Sequence, residues 1–136
     1  TWPEPDMSGL LAGQTCLVTG AGQGLGRAIA TEMAAEGAHV VLVDRNHATV
    51  KEAAAAIRDS GNAAEGHRLD VTDAAGFETL VADLAARRRI DVLVNNAGIN
   101  PPPRTILEDT EAEWDRTIAV NLQAVWRGSK LVAGHM

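Results

Sequence analysis

Thr19-Gly20-Ala21-Gly22-Gln23-Gly24-Leu25-Gly26 is the stretch that decides the fold. Glycine tolerates backbone angles that other residues avoid, and a chain without side chains lets a phosphate come close to its amides. Just before it, Thr15 to Val18 is a short apolar run bounded by glycines, the pattern of a buried strand. Just after it, Leu25, Ala28, Ile29 and Met33 recur at helical spacing, and Gly37 stands where a helix would stop. A helix that opens directly behind such a turn offers unpaired N–H groups and a partial positive charge. The stretch therefore reads as a cradle for a diphosphate. It does not fit the strict G-x-G-x-x-G pattern, because Leu25 and Arg27 occupy the places of the third glycine. Taken alone, the glycines would equally suit a tight connection; the flanking strand and helix favour the cradle.

Outward from this unit, strands and helices alternate. His39 to Val43 is a second buried strand of β-branched residues and leucine. Val50, Ala53, Ala54 and Ile57 predict a second helix ending near Ser60-Gly61, and Ala63 to Leu69 a weaker third strand. Phe77, Leu80, Val81 and Leu84 predict a third helix, capped by Thr72 or Asp73. Ile90 to Val94 is a fourth strand, and Asn100-Pro101-Pro102-Pro103 is a loop. Thr110-Glu111-Ala112-Glu113 has the form of a capping box, opening a long helix that carries Trp114, Ile118, Leu122, Val125 and Val132. Such alternation implies a parallel sheet. Right-handed crossovers then place the strands in the order 3-2-1-4, with helices 1 and 2 on one face and the later helices on the other. This is an α/β, Rossmann-type doubly wound parallel sheet, partial because it ends before a fifth strand. Residues 14–136 form this one domain, and Thr1 to Gly13 reads as a flexible tail. Strands 1 and 4 splay at their C-terminal ends, where ligands bind in open sheets of this kind.

Composition narrows the partners. A net charge of −6 argues against nucleic acid, which needs a clustered basic face. The basic run Arg87-Arg88-Arg89 falls at a helix end, where cations suit the dipole. Cys16 is the only cysteine and lies in an apolar run, so it reads as core. His39, His47, His67 and His135 show no metal-ligand spacing. No apolar stretch approaches the roughly 20 residues that cross a bilayer. Trp2-Pro3-Glu4-Pro5-Asp6 lacks the form of a signal peptide, so the expected location is the cytoplasm.

Asp44 closes strand 2 at the rim of the same crevice. An acid there can accept hydrogen bonds from adenosine ribose hydroxyls and would repel a 2′-phosphate, which favours NAD over NADP. Arg45 pulls the other way, since arginine pairs with phosphate, whereas Gln23 adds no charge to the turn. Asp44 could instead cap the second helix, a role that Asn46 could also fill.

With these residues assembled, the chain resembles the short-chain dehydrogenase/reductase family. Thr19, Gly20, Gly24 and Gly26 are similar to its Thr-Gly-x-x-x-Gly-x-Gly turn. Asp70-Val71 resembles its adenine-contacting pair, Asn95-Asn96-Ala97-Gly98 its Asn-Asn-Ala-Gly motif, and Asn121 the asparagine of its catalytic tetrad. The resemblance runs from about Gly13 to Met136. It implies cofactor contacts from Thr19, Gly20, Gln23, Gly24, Leu25, Gly26, Asp44, Arg45, Asp70, Val71, Asn96, Ala97 and Gly98, with no metal. It also implies that Asn121 disturbs its helix and holds a water in a proton relay. Read from the residues alone, Asp70 and the asparagines could be strand-end turn chemistry, and Asn121 a buried amide bonded to backbone or water.

The family's reaction moves hydride between nicotinamide and an alcohol or ketone, using a tyrosine, a lysine four residues later and a serine. The 136 residues contain no tyrosine. Ser129-Lys130 lies too early to replace the motif. Two explanations are open: the cofactor half of a longer enzyme, or a short NAD-binding module or regulator. A methyltransferase using S-adenosylmethionine would share the turn and the acid, but gives no reason for Asn95-Asn96-Ala97-Gly98. A fourth strand at the sheet edge invites association. The apolar last helix matches one that packs on a partner subunit in the family, so a homo-oligomer is expected.

Overall fold

A computed structural model describes residues 9–136. In chain order the elements are β1 (Thr15–Thr19), α1 (Gly24–Ala35), β2 (His39–Asp44), α2 (His47–Asp59), β3 (Ala64–Arg68), α3 (Ala74–Arg87), β4 (Val92–Val94), α4 (Glu111–Ile118), a π turn (Ala119–Gln123) and α5 (Ala124–Ala133). The strands are all parallel in the order β3-β2-β1-β4, the expected sheet.

Both central strands are covered on both faces, which explains their unbroken apolar sequence. On one face Cys16, Val18, Val40 and Leu42 meet Ala30 and Ala34 of α1 and Val50, Ala53, Ala54 and Ile57 of α2. The alanines let these helices lie close to the sheet. On the other face Leu17, Val41 and Val43 meet Phe77, Val81 and Leu84 of α3 and Ala124 and Val132 of α5. Cys16 is fully buried, and burial followed by the nearby Asp91 charge raises its thiol pKa. Among the described residues no helix is long and apolar enough to cross a membrane.

Local competition settles the element ends. Asn46 caps α2, accepting from the amides of Ala48 at 3.1 Å and Thr49 at 3.3 Å. Asp73, not Thr72, caps α3 through the Gly76 amide. Thr110 Oγ1 accepts from the Glu113 amide, but the amide of Thr110 turns to Asp109 Oδ1 at 2.9 Å. The expected box is therefore closed by the nearer aspartate. The long C-terminal helix is interrupted by the π turn, and β4 is two residues shorter at its start than expected. The last residues of the expected tail touch the fold. The Leu11 amide donates to Glu36 O at 3.0 Å, the Gly13 amide to Gly37 O at 3.3 Å, and Leu11 packs on the core. The rest of the expected tail, residues 1–8, lies outside the described residues.

At the β2–β3 edge, the Glu65 carboxylate has His39 and His67 each 3.3 Å away and Arg87 at 3.4 Å. Burial is the largest single influence on the carboxyl and pushes its pKa up. The His39 hydrogen bond, the Arg87 charge and His67 together outweigh it, and hold the group below its ordinary 4.5. A depressed carboxylate pKa gives stability that is complete above the unfolded value and lost as pH falls through the folded one. Glu65→Gln should therefore lose stability relative to wild type above pH 4.5, and its unfolding free energy should fall less steeply below it. Denaturant melts across that range check this; parallel curves for the two proteins would refute it.

Candidate functional site

At the C-terminal ends of β1 and β4 the splayed strands leave a cleft of about 550 Å³. One wall is the glycine turn and the start of α1, with Gly20, Gln23, Gly24, Leu25 and Gly26. Asp44 and Arg45 after β2, with Asp70, Val71 and Thr72 after β3, form the far end. Asn96, Ala97, Gly98 and Ile99 after β4, with Arg116, Ala119 and Val120, make the opposite wall. Of the thirteen residues expected to touch a cofactor, all but Thr19 line this one cleft. A more open groove of about 890 Å³ adjoins it along β3 and α3, sharing Arg45, Leu69 and Asp70. That groove has no glycine turn, and the two helix starts it touches are already capped by the side chains of Asn46 and Asp73, so the smaller cleft is the candidate site.

The start of α1 differs from those of α2, α3 and α4. Asn46, Asp73 and Thr110 cap α2, α3 and α4 with side chains, whereas Gln23 before α1 makes no side-chain cap. The first amides of α1 are thus left to the cleft, as an anion site requires. Gly24 has φ +55°, and nothing lies within 4 Å of where its Cβ would stand. A side chain there would be strained. The bare turn and the uncapped amides behind it fit a dinucleotide's diphosphate.

Asp44 is not the cap of α2. Its Oδ2 accepts from the Gly22 amide at 3.0 Å and its Oδ1 from the Asn46 amide at 2.9 Å. Each oxygen keeps acceptor capacity for a hydroxyl. Asp70 Oδ1 accepts from Thr72 Oγ1 at 2.7 Å and from the Thr72 amide at 3.0 Å. The Thr72 hydroxyl, then its amide, hold Asp70 below the ordinary carboxylate range against some burial, with help from Arg45. Two fixed carboxylates and Arg45 therefore share the far end of the cleft.

Thr19, also expected at the cofactor, stands behind the wall rather than in it. It is 2% exposed. Its Oγ1 accepts from the amides of Asn96 at 3.1 Å and Ala97 at 3.0 Å, and donates to Val94 O at 3.4 Å. Asn96 Nδ2 returns the clasp, donating to Thr19 O at 3.0 Å and Gly20 O at 3.1 Å. Asn95 turns away and donates to Ser129 Oγ at 3.1 Å. The asparagine pair thus joins β4 to both β1 and α5.

Asn121 lies in the π turn. Its Oδ1 accepts from the Ile99 amide at 2.8 Å and its Nδ2 donates to Ile99 O at 2.9 Å. It is exposed, not buried, and its amide grips backbone, one of the two partners open to it. It fixes the loop that ends the cleft wall without lining the cleft itself. Ile99, Arg116, Ala119 and Val120 were not foreseen. Residues 116, 119 and 120 do share a helix face by spacing, but the apolar stripe of Ile118 and Leu122 drew the reading instead.

The family model described as short chain dehydrogenase matches residues 14–136. The chain is similar to the short-chain reductase protein NovJ of Streptomyces niveus, 44% identical over 121 residues, covering 88% of this chain and 46% of that protein. Among solved structures it resembles the citronellol catabolism dehydrogenase AtuB of Pseudomonas aeruginosa PAO1. There the TM-score is 0.88 and the identity 36%, over 93% of this chain and 52% of that one. A metagenomic short-chain oxidoreductase in complex with NADP gives a TM-score of 0.88 at 38% identity, over 93% of this chain and 57% of that one. The chain thus spans about half the length of these relatives. The glycine turn, the acid after β2, the Asn95–Gly98 corner and a match along nearly all the described residues together place this chain in the short-chain dehydrogenase family.

Proposed function

We propose that the chain is the cofactor-binding half of an NAD-dependent oxidoreductase that moves hydride between nicotinamide and an alcohol or ketone. One observation carries this: an uncapped helix N-terminus and a bonded Asp44 carboxylate share one cleft. The amides of Gly24, Leu25 and Gly26 hold the diphosphate, with Gly20 and Gln23 completing the turn. Asp44 holds the adenosine ribose, which sets NAD above NADP, and Arg45 covers its edge. Asp70 and Val71 meet the adenine. Ala97 and Gly98 flank the second ribose on a corner set by Asn96 and Thr19. Asn121 holds the Ile99 loop, and through it the space in front of the nicotinamide. Bound there, the cofactor supplies hydride; the chain binds it, orients it and excludes water from it. Proton transfer of the tyrosine kind is beyond these residues, since they include no tyrosine. The reading also sets a second copy of the chain on the α4–α5 face, where Trp114, Leu122 and Trp126 are each about 60% exposed.

Sedimentation velocity of the chain with NADH, followed at the nicotinamide's own absorbance, tests both parts. The expected result is NADH moving with protein at a mass above the monomer, without substrate-dependent turnover. NADH left at the meniscus, with the chain folded, would sink the cofactor reading. NADH travelling with a clean monomer would sink the oligomer alone.

A further inference from the structure

We propose that Gly22 is a specificity-determining residue, whose missing side chain seats the Asp44 carboxylate so that the cleft selects an unphosphorylated adenosine ribose. The inference rests on the dinucleotide reading above and deepens it.

Gly22 is not a glycine for conformational reasons. Gly20 and Gly24 have positive φ, and Gly22 does not. Space is what excludes a side chain. A Cβ on residue 22 would collide with Thr49 Oγ1 and would stand 3.0 Å from both Cγ and Oδ2 of Asp44. Three elements meet at that point. The turn is tied to β2 by the Ala21 amide on Val43 O at 3.0 Å. Asp44 comes from the end of β2, and Thr49 from the first turn of α2, where its hydroxyl donates to Asn46 O at 3.2 Å.

The Asp44 carboxylate is held between two amides, those of Gly22 at 3.0 Å and Asn46 at 2.9 Å. A carboxylate held in this way points a fixed charge at the site of the adenosine 2′ position. Fixed negative charge attracts a hydroxyl donor and repels a phosphate. With a side chain on residue 22, the carboxylate has to give way by a few tenths of an ångström, which loosens Oδ2 from the Gly22 amide and frees the charge to turn out of the cradle. The hydroxyl then loses its acceptor, the 2′-phosphate loses its main repulsion, and the neighbouring Arg45 is left to act on it. Gly22 touches neither form of the cofactor in this account. It acts through Asp44, and its signature is a changed preference rather than a general loss of affinity.

The test is a titration of the full chain with NADH and with NADPH, for wild type, Gly22→Ala, Thr49→Ala and the double variant. Wild type and Thr49→Ala should prefer NADH. Gly22→Ala should weaken NADH by about tenfold, the size of one charge-assisted hydrogen bond, while NADPH holds or tightens. The double variant removes the collision with Thr49 Oγ1 and keeps the 3.0 Å contact with Asp44. It should therefore show the same change of preference even where Gly22→Ala alone folds poorly. Equal weakening of both dinucleotides, an unchanged ratio in the double variant, or a wild type that prefers NADPH would each overturn the proposal. A folded wild type that binds neither dinucleotide would instead overturn the cofactor reading beneath it.

Discussion

Gly26→Ala should lower the affinity for NADH by about a hundredfold, the largest binding loss expected from adding a single methyl group to this chain; that is about 2.7 kcal/mol. Gly26 is buried in the first turn of α1. A Cβ there would run into Gly20 O and Asn96 Nδ2, and would lie 2.9 Å from the Gly20 carbonyl carbon. Overpacking of this kind costs about 1–3 kcal/mol in a well-filled site. The direction of the strain decides where that cost appears. Gly20 belongs to the glycine turn and Asn96 to the opposite wall, so α1 can make room only by backing away from both. Its amides then withdraw from the place proposed for the diphosphate. Because bound ligand demands the closed geometry, most of the strain should be felt in the complex. Calorimetric titration of NADH alongside a thermal melt reads both effects. Wild-type affinity in a folded Gly26→Ala chain would show that the amides of α1 do not hold the ligand.

The sheet was legible because its information is local and repeated. Leu17, Val18, Val41 and Leu42 are buried on alternate faces by helices from both sides, so their sequence is continuously apolar. Handedness then leaves one order for four strands. The far-reaching contacts were not legible in the same way. Thr19 bonds residues 77 and 78 positions away, and nothing near Thr19 in the chain announces it. The resemblance placed Thr19 at the cofactor because it belongs to the turn motif; the structure places it one layer behind. Asn121 gave half a signal. An amide amid apolar helix residues needs a partner, but the π turn that aims it at Ile99 follows from the loop it meets, not from its neighbours. Only half of the capping box formed, for the opposite reason. Asp109 adjoins the Thr110 amide and outcompetes Glu113, an effect too local for a three-residue pattern to register.

Thr19→Val and Thr19→Ser should separate cleanly, although each changes a single heavy atom of the side chain. Thr19 is almost fully buried, and among the described residues its hydroxyl is the only acceptor found for the Ala97 amide. The Asn96 amide is less dependent on it, because that amide also reaches Val94 O at 3.0 Å. Valine keeps the shape and deletes the oxygen, so it strands one partly buried amide at a cost of about 2 kcal/mol. Serine keeps the oxygen and deletes a methyl group, at a cost of about 0.8 kcal/mol. Stability alone would distinguish the two only modestly. Binding should distinguish them sharply, because Ala97 and Gly98 form the cleft wall that the hydroxyl fastens. Thr19→Ser should retain NADH affinity within about twofold, and Thr19→Val should lose about tenfold, close to the worth of the stranded amide. Equal affinities in the two variants, measured where both are fully folded, would mean that the corner after β4 keeps its form without the clasp. The wall's geometry would then have to come from Asn96 Nδ2, whose bonds to Thr19 O and Gly20 O survive either substitution.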